Sequence, residues 1–265
     1  MPGAAPDTRA RACNGLGVVA ERQQQWAEAA QWYQQALDMP GAAPATRATA
    51  CLGLGNVAER QEQWEEAAQW YQRALDTPGA APDTRAHACH GLGYVADRQQ
   101  QWEEAARWYR RALDTPGTAP DTRARACLGL GIVAAAQQQW EEAAQWYRRA
   151  LDTPGAAPET RATACNGLGY VAAAQQQWEE AAQWYQRALD TPGAAPDTRA
   201  RACLELGIVA AEQRQWEEAA QRYQQVLDMP GAAPDTCARA CLGLVYVAGR
   251  IAAVGRGGAV VPAGA

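Results

Sequence analysis

His87, Cys89 and His90 are the one cluster of metal-binding residue types in the sequence, which holds two histidines in all. Zinc needs three or four such ligands converging on a point. On a helix His87 and His90 share a face while Cys89 points away from it, so the three do not converge and no metal is expected. Cys237 and Cys241, four apart, supply two thiols and no third ligand. Eleven tryptophans could stack nucleobases or sugar rings. The paired carboxylates of Glu141-Glu142 and its copies could do acid–base work if they faced inward. No Ser/His/Asp set or glycine-rich phosphate loop accompanies them. The chain reads as a protein without catalytic residues, cofactor or metal, and the other candidates must be judged from the elements that carry them.

Those elements repeat. Trp26, Trp64, Trp102, Trp140, Trp178 and Trp216 advance by 38, as do Cys13, Cys51, Cys89, Cys127, Cys165, Cys203 and Cys241. A period of this size predicts stacked units, each contacting its neighbours. Every unit opens on Pro-Asp-Thr-Arg or a variant of it, as at Pro82-Asp83-Thr84-Arg85, residues suited to a helix start. The first helix, A, carries an apolar stripe exemplified by Cys127, Leu130, Val133 and Ala134, at helical spacing. Gly129 and Gly131 cost this helix about 1 kcal/mol each, so their recurrence predicts close approach of a neighbouring helix. A glutamine turn leads to helix B, Trp140 to Asp152, where Trp140, Ala143, Ala144, Tyr147, Ala150 and Leu151 form the stripe and the Glu-Glu pair faces water. Thr153-Pro154-Gly155 ends it. The whole predicts seven A helices alternating with six B helices. In this setting the first tryptophan series belongs to the core. The second, Trp32, Trp70, Trp108, Trp146 and Trp184, packs between units, with Arg222 in the sixth place.

Acidic residues number 29 against 24 basic ones, a net charge of -5, which argues against nucleic acid or an anionic membrane as partner. Seven of the eight cysteines occupy one repeated position. Equivalent positions in stacked hairpins lie about 10 Å apart, beyond the roughly 7 Å a disulfide spans. Free, mostly buried thiols in a reducing, cytoplasmic setting are expected. Nothing at Met1-Pro2-Gly3 resembles a signal peptide, and no segment is expected to reach the roughly 20 apolar residues of a membrane span.

Leu130-Gly131 in helix A, Trp140 opening helix B, then Ala143, Tyr147, Ala150-Leu151 and Pro154 resemble the tetratricopeptide repeat. The resemblance covers residues 7 to about 249. It departs from the family in its longer period, in the cysteine early in helix A, and in the glutamine that replaces the usual turn glycine. It implies an all-α, right-handed superhelical solenoid of antiparallel hairpins over residues 1–250. It further implies a protein-interaction scaffold that binds a peptide or partner helix in a concave groove lined by helix A.

Comparison of the copies with one another locates that groove's candidate residues. The copies differ most at Arg11/Thr49/His87/Arg125/Thr163/Arg201 and at Asn14/Leu52/His90/Leu128/Asn166/Leu204. They differ again at Val18/Asn56/Tyr94/Ile132/Tyr170/Ile208, and in the acidic series Glu21/Glu59/Asp97 with its companion Arg22/Arg60/Arg98. These columns share one face of helix A. Their charge lies in the early copies, while the later copies carry apolar residues and tyrosine. Drift on an exposed face would favour polar residues, whereas tyrosine, isoleucine, leucine and valine recur here. The alternative is a structural or self-assembling array, or a fragment with no ligand of its own.

Both ends read as cut from a longer array. Residues 251–265 abandon the pattern and are expected to be a disordered tail. GC-rich codons for a Trp-Asp-Glu-Ala-Ala helix, read out of phase, reproduce residues 253–265, so a frameshifted seventh B helix is expected there. Loss of that helix leaves Leu244, Val245 and Val247 of the last A helix short of cover, which opens a route to self-association through it.

Overall fold

The computed structural model describes residues 5–257. Among them are thirteen helices in strict alternation. The A helices are α1 (Pro6–Arg22), α3 (Pro44–Arg60), α5 (Pro82–Arg98), α7 (Pro120–Ala136), α9 (Pro158–Ala174), α11 (Pro196–Glu212) and α13 (Pro234–Gly257). The B helices are α2 (Trp26–Asp38), α4 (Trp64–Asp76), α6 (Trp102–Asp114), α8 (Trp140–Leu151), α10 (Trp178–Leu189) and α12 (Trp216–Leu227). The chain is all-α, a repeated helix-hairpin solenoid, and it divides into two compact units, α1 to α7 and α8 to α13.

In the first unit the core is built on tyrosine. Tyr33, Tyr71 and Tyr109 are almost wholly buried, and each ring is held between two glycines of successive A helices. Tyr71 lies on Gly55 of its own hairpin and on Gly91 of the next, where a Cβ would stand 2.5 Å from the ring in both cases. Tyr33 lies in the same way on Gly17 and Gly53, and Tyr109 on Gly93 and Gly129. The close approach expected at the paired glycines is therefore made by a side chain, and a flat ring fills the gap that two missing Cβ atoms leave. The second unit repeats the device with Tyr223 on Gly207 and Gly243. Tyr185 rests on Gly169, and Glu205 stands where its second glycine would be.

Helix A opens with proline in its first turn, but no side chain caps its own N-terminus. The aspartate reaches forward to the next unit. Asp7 accepts hydrogen bonds from the backbone N–H of Ala43 at 2.9 Å and the hydroxyl of Thr46 at 2.6 Å. Asp83 does the same for Ala119 and Thr122, and Asp197 for Ala233 and Thr236. Glu159 takes this role towards Ala195 and Thr198. A helix start is thus capped by the carboxylate of the preceding A helix, which ties successive repeats together within each unit. These bonds hold the Asp7 carboxyl below its usual range.

The A helices from α1 to α11 each end on a left-handed turn. In the third unit the N–H of Gln101 donates to Ala96 O at 2.8 Å and that of Gln100 to Asp97 O at 2.9 Å, the pairing of a Schellman cap. Gln100 has φ 60, so a glutamine occupies a conformation that favours glycine.

Candidate functional site

The buried thiols and the histidine cluster can be set aside first. Cys51, Cys89, Cys127, Cys165 and Cys203 are buried and free, and burial pushes the thiols of Cys51, Cys89, Cys165 and Cys203 up, towards the unreactive form. His87 joins the Asp83 clasp, with Nδ1 3.3 Å from the Asp83 carboxylate and Nε2 3.2 Å from the Thr122 hydroxyl. His90 leans on the Tyr109 ring at 5.4 Å, and desolvation beside Arg125 pulls its pKa down to about 4. Among the described residues no group of three or more His, Cys, Asp or Glu is gathered for a metal.

The variable columns of helix A fall into different environments. Arg11 and Arg201 pair with the clasp aspartate four residues earlier and Arg125 with Asp121 at the same spacing, each at 3.0 Å, so that column serves the start of helix A. The next column faces the following A helix. Asn14 is buried and donates to Thr46 O at 2.9 Å, and Asn166 donates to Thr198 O at 3.2 Å. Leu128 and Leu204 are buried, while Leu52 and His90 are half-buried. The third column is the open one. Val18, Asn56, Ile132 and Tyr170 are exposed, and Tyr94 and Ile208 are half-buried. Arg22, Arg60 and Arg98 are exposed beside them.

Sequence reasoning missed what supports this open column. The first tryptophans are half-buried and reach forward to the next A helix. Trp64 meets Tyr94 edge-on at 6.2 Å, and in the second unit Trp140 meets Tyr170 at 6.1 Å and Trp216 meets Tyr246 at 6.2 Å. Arg98 lies 5.6 Å from the Trp64 ring, so an indole holds both a tyrosine and a guanidinium on this face. The regular spacing of 30 residues from Trp64 to Tyr94 and from Trp140 to Tyr170 was the available signal.

In the first unit the acidic column lies under the arginines. The Tyr71 hydroxyl donates to Glu59 at 2.7 Å and also contacts Asn56 Oδ1 at 3.1 Å. Burial pushes the carboxyls of Glu21, Glu59 and Asp97 up, and hydrogen bonds from Tyr33 and Tyr71 pull the first two back. In the second unit Glu205 pairs with Arg239 at 3.0 Å. This ion pair follows from Glu205 replacing the first glycine of α11 and was also missed.

The second tryptophan series is half-buried on the opposite, helix-B side. The indole N–H of Trp70 donates to Glu66 at 3.2 Å, and Arg73 covers the ring at 5.2 Å. Trp108, Trp146 and Trp184 repeat both contacts. The second glutamate of the Glu-Glu pairs from α4 to α10 thus orients a tryptophan, and in α12 Glu218 meets Arg222 instead, at 3.8 Å. Shallow grooves run between adjacent B helices, of about 620 Å³ between α4 and α6 and about 760 Å³ between α10 and α12. No candidate residue of the helix-A columns lines either groove.

The last helix departs from expectation in three ways. Val247 is fully buried and Leu244 half-buried, because both face α12, which is present. Val245 is open as expected, at 73% exposed, and it shares its side of the helix with Leu242 at 71%. Helix α13 also continues to Gly257, since Ile251-Ala252-Ala253 are compatible with helix, so it enters the stretch expected to be disordered. Residues 258–265, with most of the expected frameshift, lie outside the described residues. By length and composition alone Pro234–Ala253 reaches membrane-span criteria, with a mean hydropathy of 1.3, although no such segment was expected.

Comparison with known proteins places this architecture. Sequence patterns for the tetratricopeptide repeat match residues 46–116 and 159–230, and a second such pattern matches residues 8–45 and 90–159. A search of curated proteins found no match. Among solved structures, a chain of the APC/C hetero-tetramer Cut9-Hcn1 aligns over 90% of this chain with TM-score 0.71 and 14% identity. This chain spans 42% of that one. PilF of Pseudomonas aeruginosa aligns over 93% of this chain and 100% of its own, with TM-score 0.67 and 17% identity. PilW, a type IV pilus biogenesis factor, aligns over 82% of this chain and 91% of its own, with TM-score 0.66 and 19% identity. These likenesses are of fold, and the repeat patterns, which cover more than half of the residues, carry the assignment. The chain belongs to the tetratricopeptide repeat family, whose members serve in general as scaffolds for protein–protein interaction.

Proposed function

We propose that this chain is an interaction scaffold whose helix-A face holds a peptide segment or partner helix, with no chemistry of its own. One observation carries the reading: Val18, Ile132 and Tyr170 remain 41%, 44% and 52% exposed on that face, in a chain whose other repeated apolar columns are largely buried. Aromatic and aliphatic side chains on firm supports suit anchoring. The Trp64–Tyr94 and Trp140–Tyr170 edge contacts fix the tyrosines and lower the ordering cost of binding. The first unit adds Arg22, Arg60 and Arg98, so a ligand there meets charge beside its apolar anchors.

A displayed library of random peptides, selected against the purified chain, tests this reading. Tyr94→Ala with Tyr170→Ala is expected to weaken the selected peptides at least tenfold while helicity stays unchanged. Equal binding by that variant, or selection of no peptide at all, would sink it.

A further inference from the structure

The open side of α13 is one continuous seam. Ala238, Cys241, Leu242, Val245, Gly249 and Ala252 are all exposed, and their three- and four-residue spacing keeps them on one stripe over four turns. No charge interrupts it. The flanking arginines are held elsewhere, Arg239 on Glu205 at 3.0 Å and Arg250 over the Trp216 ring at 5.2 Å.

In the other hairpins of known contact, the A-helix residue at the position of Val245 is a glycine that seats the tyrosine of its own B helix, as Gly55 seats Tyr71 and Gly207 seats Tyr223. A Cβ at those glycines would come within about 2.5–2.8 Å of the ring. Val245 brings a whole isopropyl group to that place, so a helix of the repeat's own B pattern does not fit here. The seam does fit itself. In an antiparallel pair centred on Val245, Leu242 of one copy falls against Ala248 of the other, Cys241 against Gly249 and Ala238 against Ala252, so the leucine and the thiol each meet a small residue along the contact. A parallel pair would put Leu242 on its own copy and leave a gap at Gly249.

We propose that α13 forms a two-fold, antiparallel interface with a second copy of this chain. A seam of one helix lies near or below the roughly 1,200 Å² of total burial found in stable complexes, so the dimer dissociates on dilution.

Sedimentation equilibrium of the full chain under reducing conditions is expected to show twice the monomer mass at high concentration, falling towards the monomer on dilution. Leu242→Glu, at an exposed site, is expected to give monomer throughout with unchanged helicity. Leu16→Glu, on the exposed side of α1, is expected to leave the dimer intact. Val245→Cys in a Cys237→Ala, Cys241→Ala background is expected to cross-link two chains on mild oxidation, because position 245 meets its own copy. Several results would overturn the proposal: monomer at every concentration, open-ended growth abolished by Leu16→Glu, or cross-linking through native Cys241 in preference to position 245. So would flotation with phosphatidylcholine vesicles as a monomer, which would assign the seam to a lipid surface.

Discussion

At the scale of single residues, the fold depends on what glycine lacks. Gly15 and Gly91 stand at the same position of their copies, yet a Cβ on Gly15 meets nothing within 4 Å and one on Gly91 would press into the Tyr71 ring at 2.5 Å. Alanine improves helix propensity by about 1 kcal/mol at either place, whereas overpacking a filled core costs about 1–3 kcal/mol. Gly15→Ala is therefore expected to raise the stability measured by denaturant unfolding, and Gly91→Ala to lower it. Equal effects from the two would show that the ring does not need both glycines. The sequence revealed that these glycines matter, through their recurrence, but not that a tyrosine from helix B is what approaches them. The same gap explains the clasp aspartates. Their residue type and place announced a helix start, while the partner, 36 to 39 residues further on, is visible only once the units are stacked. Ala45 stands in the aspartate's place in the second unit and has no carboxylate to offer the third.

At the scale of the element, the A helices α1, α3 and α5 carry a cost that the later ones shed. Burial raises the pKa of Glu59, so the folded state binds its proton more tightly than the unfolded state does. Such a group detracts from stability at pH 7. That loss is relieved as pH falls through the raised pKa, and is gone below the unfolded value near 4.3. Glu59→Gln keeps an acceptor for the Tyr71 hydroxyl and removes the charge. It is expected to melt about 2 °C or more above the parent at pH 7, with the gap closing towards pH 4. A gap independent of pH, or a lower melting point at pH 7, would show that the carboxylate stabilises this helix face. The equivalent positions in α7, α9 and α11 are Ala135, Ala173 and Ala211, which leaves those helices free of the penalty. Element type was legible throughout and boundaries were legible up to α12, since each of those helices is opened by proline or tryptophan and closed by a turn, whereas the end of α13 was not. The direction in which α13 is bare was not legible, because periodicity gives a stripe without saying which neighbour covers it.

At the scale of the whole molecule, two classes of residue divide the work. Tyrosines, glycines, buried alanines and clasp aspartates recur with little change and join each hairpin to the next. The helix-A positions where the copies disagree include packing residues such as Asn14 and Leu204, and an open set around Val18, Tyr94, Ile132 and Tyr170. Family and architecture were legible because six near-copies multiply every weak signal. The open set was only partly legible, since variation alone does not separate a side chain that adjusts to a neighbouring helix from one that faces solvent. Amide hydrogen exchange of the full chain, with and without a saturating selected peptide, tests the central claim most directly. Slowed exchange is expected in the A helices around Tyr94 and Ile132 or around Tyr170 and Ile208. Protection confined to the B helices, along Trp70 to Arg73 or Trp184 to Arg187, would contradict it and move the binding surface to the opposite side of the hairpins.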